Sequence, residues 1–423
     1  MDKLILISVI LFIIIIWQIT IKKSWYSPQI FMAGIWFVST FFIWLNPFNV
    51  MEISEKTILI IFIGLLFFFI GNKKFFNVTF TIDGKKRFYI KQQNSFNKLF
   101  CYGMLIISFC FNLFLLFNVL SLLKNGTSYN NIRDMLFGYN NSISLFSSSF
   151  ISTFYSWIIV PSTSVILMIF LVNLFVKKLP YLFNILSFIN ILMYVFATSG
   201  RLLMLHAVVF LFFCYKFYDY HIPKKIKRKV IIFGSVLIVA LVLITFFRVK
   251  DKTAVPSIYS YFCIDIPLLS YWTSYVDANN LVTYGNAFFR GILEGVNFFL
   301  GKLDLSTPFF WQMQEVFNLI QNSWIEVFPR NWYNAYVSCF FYFYLDFGII
   351  GVMLGSFVFG KISSIFYNLL IKNKSLLSIL IYMIILQCII DSFIRWQLGT
   401  FTFIITIIMA FLSVKKDKRE GKV

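Results

Sequence analysis

Long apolar runs separated by short polar segments dominate the pattern of hydrophobic positions along this chain. The apolar core of a bilayer requires about 20 residues of helix, and eleven runs approach or exceed that length. They lie near residues 4–20, 29–46, 57–71, 99–122, 151–176, 181–197, 202–219, 229–247, 340–369, 376–393 and 398–414. The pattern therefore predicts an all-α polytopic membrane protein with about 11 transmembrane helices, in a range of about 10–12.

The composition supports this interpretation. Of the 423 residues, 60% are hydrophobic and only 13% are charged, whereas about a quarter of the residues of a soluble domain are charged. A soluble globular protein and a disordered chain are both excluded, since disorder requires low hydrophobicity. The first run is not a cleavable signal peptide, because Lys22 and Lys23 follow it without a small-residue cleavage site.

The distribution of charge predicts an orientation. If the loop at 72–98 is cytoplasmic, the segments on that side hold 25 Lys and Arg residues but four acidic residues. The opposite side keeps 12 basic and 13 acidic residues. Because basic residues accumulate in cytoplasmic loops, the N-terminus is expected outside and the C-terminus in the cytoplasm. The net charge of +20 is thus explained by topology and by attraction to the lipid bilayer, and nucleic acid is not an expected partner.

Four consecutive segments follow from this topology. They are an N-terminal membrane bundle at 1–247 with about eight spans, an extracytoplasmic lobe at 248–332, C-terminal spans at 333–414 and a basic cytoplasmic tail at 415–423. No nucleotide-binding motif occurs. The six cysteines are scattered and there are two histidines, so neither a metal nor another cofactor is expected.

Two segments on the outer side differ from ordinary connections. The first, 124–150, is rich in Asn, Ser and Tyr, and the second, 248–332, mixes charged with aromatic residues. Loops this long are usually functional or disordered, and the apolar patches of the second predict amphipathic helices at the membrane surface. Its aromatic residues fit two interpretations: faces on which sugar rings stack, or an interfacial aromatic belt.

Arginines are the most informative residues on the outer side, where positive charge is otherwise depleted. A guanidinium group is always charged and its planar fork matches phosphate oxygens. Arg201 follows the short connection Thr198–Gly200 between two spans, which places a cation beside a helix start that also attracts anions. Snorkelling to a lipid headgroup is the alternative for Arg201. The arginines concerned are Arg133, Arg201, Arg248, Arg290 and Arg330.

Asp346 interrupts the long apolar stretch of the segment 331–360. An acid at membrane depth is by default a functional hypothesis, but Asp346 could equally cap a helix that starts at Gly348. The glycines that follow permit close helix approach, with Gly351 and Gly355 in small-xxx-small spacing.

The same segment resembles bacterial oligosaccharide repeat-unit polymerases, the O-antigen or capsular polysaccharide polymerases of the lipid-carrier-dependent pathway. The resemblance is carried by Asn331-Trp332-Tyr333-Asn334, Tyr344-Leu345-Asp346-Phe347-Gly348, Gly351 and Gly360. The turn at Ser199–Arg201, the long outer loop and the stretch from Ile258 to Ile292 also fit the layout of that family. The fold implied resembles the GT-C-type glycosyltransferases.

The resemblance implies a glycosyltransferase of the bacterial cytoplasmic (inner) membrane. Its substrate would be an undecaprenyl-diphosphate-linked oligosaccharide, and a chain-length regulator and a flippase would be further partners. Arg201, Arg290, Arg330 and Asp346 are then the expected catalytic residues, and Glu294 and Glu315 are further candidates for an optional general base. The expected substrate-binding residues are Arg133, Arg248, Tyr259, Trp272, Tyr284, Asn331, Tyr333 and Tyr344.

Two other functions stay open. A lipid-linked oligosaccharide flippase predicts internal repeats, helices broken at the midplane and short loops on both sides. This sequence has no detectable repeat and one long outer segment, 248–332. An O-antigen ligase would need the same kind of site for a lipid-linked glycan, and the length of the glycan product would distinguish it from a polymerase.

Overall fold

The computed structural model describes residues 2–73, 94–137, 145–146, 148–218, 254–301, 303 and 308–416, with five single positions between 228 and 239. Arg248 lies outside these residues, as do most of the predicted span at 229–247 and most of the loop 72–98 and the tail 415–423 that were predicted to be cytoplasmic. The chain divides into two compact units. The first contains Met1–Ser95, Phe262–Thr400 and Lys416–Val423, and the second contains Phe96–Tyr261 and Phe401–Lys415. Each unit is therefore built from stretches that are discontinuous along the chain.

The first unit is mainly helical. Its short hairpin pairs Ile325 with Tyr333 and Glu326 with Trp332, in antiparallel register. The helices are α1 (Asp2–Thr20), α2 (Pro28–Leu45), α3 (Glu55–Gly71), α11 (Asp265–Ala278), α12 (Arg290–Gly301), α13 (Pro308–Asn322), α14 (Ser338–Asn373) and α15 (Leu376–Ile390). The strands of the hairpin are β2 (Ile325–Phe328) and β3 (Asn331–Tyr333), and 3₁₀ turns follow at Asp391–Phe393 and Gln397–Gly399.

The second unit is helical too, and two three-residue strands, β1 (Asn94–Phe96) and β4 (Val414–Lys416), lie where the chain passes between the units. Helix α10 (Ala254–Cys263) likewise ends two residues inside the first unit. The other helices are α4 (Lys98–Lys124), α5 (Tyr129–Phe137), α6 (Ser149–Phe154), α7 (Val160–Val176), α8 (Tyr181–Thr198), α9 (Arg201–Tyr218) and α16 (Phe401–Leu412), with a π-helical turn at Tyr155–Ile159.

Eight of the predicted apolar runs correspond to helices long and apolar enough to cross a membrane, among the residues that the structure describes. Two runs form shorter helices: α3 has 17 residues and α16 has 12. The protein is thus an all-α polytopic membrane protein, as the hydrophobic pattern predicted.

Local sequence explains where several helices begin and end. The hydroxyls of Ser27 and Ser54 accept hydrogen bonds from the backbone N–H groups of Ile30 and Thr57, at the starts of α2 and α3. Such caps satisfy donors that have no partner inside the helix. Helix α8 ends at Thr198 and its capping residue Ser199 has φ 51°, and α9 begins after Gly200. The tight turn predicted before Arg201 is therefore present.

The π-helical turn between α6 and α7 leaves the carbonyl of Ser156 without a partner inside the helix. With the i to i+5 hydrogen bonding of a π turn, the carbonyl of Ser156 would pair with the N–H of residue 161, but Pro161 has none. The hydroxyl of Thr402 donates to this carbonyl instead, at 3.0 Å. Helix α16 thereby satisfies a backbone group that the proline leaves free within the second unit.

Glycines bring α3 and α14 into backbone contact, at Gly71 and Gly360 and not at the predicted pair Gly351 and Gly355, which lie against Phe343 of α14 itself. A Cβ atom at Gly360 would lie 2.1 Å from the carbonyl oxygen of Phe68, and one at Gly71 would lie 2.3 Å from that of Phe357. Any larger residue would force the helices apart, which is why small residues are enriched where membrane helices pack closely.

Helix α14 is broken after Asp346. Phe347 has φ −148° and ψ 29°, and Gly348 has φ 59° and ψ −140°. In an unbroken helix, positions 343 and 355 would be about 18 Å apart, yet a Cβ atom at Gly355 would lie 2.5 Å from the ring of Phe343. The short segment before the break therefore packs against the long segment after it.

Candidate functional site

The most unusual side chain of the first unit is that of Arg290, the first residue of α12. It is 6% exposed. Its Nε and Nη2 atoms donate to the side-chain oxygen of Gln314, and its Nη1 atom donates to the carbonyl of Gly399, all at 3.3 Å. The guanidinium carbon lies 4.3 Å from the ring centroid of Phe317, and the Tyr342 hydroxyl also interacts with the group.

These partners of Arg290 are all uncharged: an amide, a carbonyl, a phenol and an aromatic ring. Burying a cation costs several kcal/mol unless a counter-ion or many hydrogen bonds offset the loss of hydration. A bound anion would offset part of this cost, and a planar guanidinium group is suited to phosphate oxygens, although Nε and Nη2 already donate to Gln314.

The backbone around Arg290 is held closely. A Cβ atom at Gly291 would lie 2.4 Å from the carbonyl oxygen of Leu398, so α12 begins in direct contact with the turn that carries Gly399. That turn is fixed by the Gln397 amide, which donates to the buried carboxylate of Asp391 at 2.5 Å. The position of the guanidinium therefore depends on the segment 391–400 as well as on α12.

Asp346 is the last residue of the short segment of α14 before the break, and it is 3% exposed. Its Oδ1 atom accepts hydrogen bonds from the Thr283 hydroxyl at 2.5 Å and from the N–H groups of Gly285 and Ala287 at 2.9 Å. Its Oδ2 atom accepts from the N–H of Phe288 at 2.8 Å. The carboxylate caps the loop 283–288 that precedes α12, and these bonds do not cap the helix at Gly348.

Tyr344 takes part in a third arrangement, nearer the surface. Its hydroxyl donates to Oδ1 of Asp277 at 2.6 Å, and Lys56 forms an ion pair with the same carboxylate. The ammonium of Lys56 lies 4.8 Å from the centroid of the Tyr344 ring. These contacts tie the starts of α3 and α14 to the end of α11.

Asp265, the first residue of α11, is a further buried acid. The hydroxyl of Ser39 in α2 lies 2.7 and 2.9 Å from its two carboxylate oxygens. Burial is the main cause that raises the pKa of Asp265 from 3.8 to about 7, against the lowering effect of the Ser39 bond.

The hairpin carries three other predicted site residues. Arg330 is exposed in the turn with φ 64°, and its N–H donates to Glu326 at 2.6 Å. Asn331 donates to the carbonyl of Pro329 at 3.0 Å. The ring of Tyr333 packs edge-on against Phe328.

Two aromatic residues of the prediction have opposite exposures. Tyr284 is 67% exposed and its ring lies edge-on to Phe347 at 6.2 Å. Trp272 is 1% exposed and packs edge-on against Tyr271 and Tyr275. In this conformation Tyr284 offers a face to a ligand, whereas Trp272 belongs to the core. The general-base candidates Glu294 and Glu315 are half-buried on α12 and exposed on α13.

In the second unit, Arg201 begins α9 and is half-buried. Its guanidinium carbon lies 3.9 Å from the ring centroid of Tyr261 in α10, which is cation–π geometry. Tyr259, on the same helix, is buried, and Arg133 is half-buried on α5.

Sequence reasoning singled out Arg290 and Asp346 but not the residues that surround them. Gln314 carried a usable signal, because it lies beside Phe310, Met313 and Phe317 on the apolar face of α13. Gly399 carried none, since it contributes only its carbonyl. No group of three His, Cys, Asp or Glu that could hold a metal ion occurs within the described part of the chain.

Comparison with protein-family models, curated proteins and solved structures finds no match to this chain.

Proposed function

We propose that the protein polymerises undecaprenyl-diphosphate-linked oligosaccharide repeat units into O-antigen or capsular polysaccharide. In this reaction a terminal hydroxyl of the acceptor attacks the anomeric carbon of the donor glycan. A new glycosidic C–O bond forms, the bond from the anomeric carbon to the diphosphate oxygen breaks, and undecaprenyl diphosphate leaves. The hydroxyl proton passes to solvent or to a base.

The buried guanidinium of Arg290 carries this proposal. Negative charge develops on the diphosphate as the bond to the sugar breaks, and a fixed cation in a poorly hydrated site stabilises that charge. Arg290 is 6% exposed and its described hydrogen-bond partners are uncharged, so in this proposal its positive charge serves the leaving diphosphate. The leaving group is already activated, and positioning with charge stabilisation is sufficient for catalysis.

Further features support the assignment less directly. Arg201 lies against the face of the Tyr261 ring, and it begins a helix, whose N-terminus favours anions. Tyr284 exposes an aromatic face on which a sugar ring could stack. In this proposal Arg330, on the exposed hairpin, contacts the glycan or a second diphosphate.

The proposed location is the bacterial cytoplasmic membrane, with the N-terminus outside, α11–α13 at the outer face and a fold of the GT-C type. A cysteine at the exposed position Asn279, in a variant without the six natural cysteines, tests the orientation. A membrane-impermeant thiol reagent should label it in intact cells. Labelling that requires permeabilised membranes would overturn the orientation.

The surface glycan of a deletion strain tests the function. We expect the ladder of polymer lengths to collapse to a single repeat unit, and the wild-type gene to restore it. An Arg290→Met variant, expressed at the same level, should fail to restore the ladder. An unchanged ladder in the deletion strain would refute the proposal.

A lipid-linked oligosaccharide flippase is the second candidate, and the break in α14 favours it. Broken helices are typical of transporters, and Phe347 and Gly348 interrupt a helix that is otherwise long enough to span. A flippase delivers every repeat unit to the outer face. Its deletion should therefore remove all repeats from the surface, including the single unit that loss of a polymerase would leave.

A further inference from the structure

The residues before the break in α14 and the loop 283–288 form hydrogen bonds to each other's free backbone groups. Because the helix stops at Phe347, the carbonyl of Leu345 has no partner further along the helix. It accepts hydrogen bonds from the N–H of Thr283 at 3.0 Å and from its hydroxyl at 3.3 Å. In the other direction, Asp346 accepts bonds from the loop. Each segment thus supplies what the other lacks, and neither conformation is determined by its local sequence alone.

This pairing fixes the start of α12 from two sides. The N–H of Phe288 donates to Asp346 at 2.8 Å, and the carbonyl of Phe288 accepts from Nε1 of Trp396 at 2.9 Å. Arg290 follows two residues later. Its guanidinium donates to the carbonyl of Gly399, in the same turn that the backbone at Gly291 contacts.

The same contacts argue against a proton-transfer role for Asp346. Its two oxygens accept one hydroxyl and three backbone N–H groups, and the side chain is 3% exposed. A general base must reach the proton that it removes, whereas this carboxylate is buried and both of its oxygens are occupied by the loop.

We propose that Asp346 is a positioning residue, whose carboxylate holds the loop 283–288 so that Arg290 meets its anion in a fixed orientation. The structural part of this proposal concerns the loop alone. The part that concerns activity rests on the proposed polymerase function.

Hydrogen–deuterium exchange of the purified protein tests the structural part. In Asp346→Asn, the amides of Gly285, Ala287 and Phe288 should exchange at least about tenfold faster, because one acceptor oxygen is replaced by an amide group. Thr283→Val removes the hydroxyl, with its contacts to Asp346 and to the Leu345 carbonyl, and keeps the carboxylate and the three N–H bonds to it. It should therefore give a smaller increase, and it remains informative if Asp346→Asn does not fold. Glu55→Gln, which neutralises an exposed carboxylate, is the matched control. Unchanged exchange in both loop variants would overturn the proposal.

A double-mutant cycle tests the link to Arg290. Initial rates of polymer formation would be measured in membranes that contain the lipid-linked repeat units accumulated by the deletion strain. Arg290→Lys should lower the rate about 100-fold, and Asp346→Asn about 10- to 100-fold. If Asp346 acts through Arg290, the double variant should be no slower than the slower single variant. If the rate of the double variant falls by the product of the two single losses, Asp346 has a role independent of Arg290, and the link is overturned.

The two proposals fail in distinguishable ways. Faster exchange of the loop amides in a protein whose deletion leaves the glycan unchanged would refute the polymerase function and keep the positioning of the loop. Loss of the ladder on deletion, combined with unchanged exchange in Asp346→Asn and Thr283→Val, would keep the function and remove the positioning role.

Discussion

The two units bury different kinds of polar side chain. Among the described residues, the first unit buries four Asp or Arg side chains: Asp265, Arg290, Asp346 and Asp391. In the described part of the second unit, the buried polar side chains are hydroxyls and amides together with His206. Ionisable groups are costly to bury and hydroxyls and amides much less so, and for this reason the proposed function assigns the chemistry to the first unit.

The buried amides of the second unit hold helices together. Asn112 in α4 donates to Asn190 in α8 at 2.9 Å, and Asn190 donates back to Ser108 in α4 at 3.0 Å. Such bonds join membrane helices. In the first unit, by contrast, Arg290 and Asp346 lie beside helix ends, breaks and turns, where free backbone groups can surround a charge.

The largest effect is expected at Arg290. Arg290→Met should lower polymer formation by about 10³-fold, because a donor to developing charge is lost. Its melting temperature should be unchanged or higher, since removing a buried cation offsets the loss of three hydrogen bonds. Activity assays and thermal unfolding in detergent would measure the two effects. A marked fall in melting temperature would instead make Arg290 a structural residue.

A smaller effect concerns Asp265, whose pKa is raised in the folded protein. Between its unfolded value of 3.8 and its folded value of about 7, the folded state binds more protons, so stability falls as the pH rises and levels off above about 7. From pH 5.5 to 7.5 the loss should be about 2 kcal/mol. Asp265→Asn should remove this part of the pH dependence. If the stabilities of the wild type and of Asp265→Asn change by the same amount across that pH range, the raised pKa of Asp265 is contradicted.

Next is Arg201, which tests whether the second unit also contributes to chemistry. Arg201→Lys keeps the charge and the contact with the Tyr261 ring but loses the planar fork. We expect most of the activity to be lost, about tenfold, if the fork binds a diphosphate. Tyr261→Leu is the companion variant and should have a smaller effect, because it removes only the cation–π contact. Polymer of normal length with Arg201→Lys would favour snorkelling to a lipid headgroup.

The smallest effect is expected at Asn190. Asn190→Ala removes two hydrogen bonds between helices and should cost about 1 kcal/mol of stability, since one such bond contributes about 0.6 kcal/mol on average. Polymer formation should not change. Thermal unfolding and the glycan ladder would check both statements, and a large loss of activity would contradict the division of roles between the units.

The sequence was informative wherever a property repeats along the chain or a residue type has few conformational choices. Apolar runs of helical length predicted eight helices that the structure bears out. Gly360 and Gly351 were identified as close-contact positions because no other residue lacks a Cβ atom. Arg201 was placed at a helix start because Ser199 and Gly200 leave almost no loop.

What the tertiary structure alone decided is the environment of each charge. The sequence predicted that Asp346 interrupts an apolar stretch, and it left open whether the residue is functional or caps its own helix. Its actual partners, in the loop 283–288, lie about 60 positions away. Likewise, nothing local connects Arg290 with the carbonyl of Gly399. Hydrophobic period is a property of neighbouring residues and can be read from the chain, whereas burial and hydrogen bonding of a charge depend on which distant backbone groups are left free to meet it.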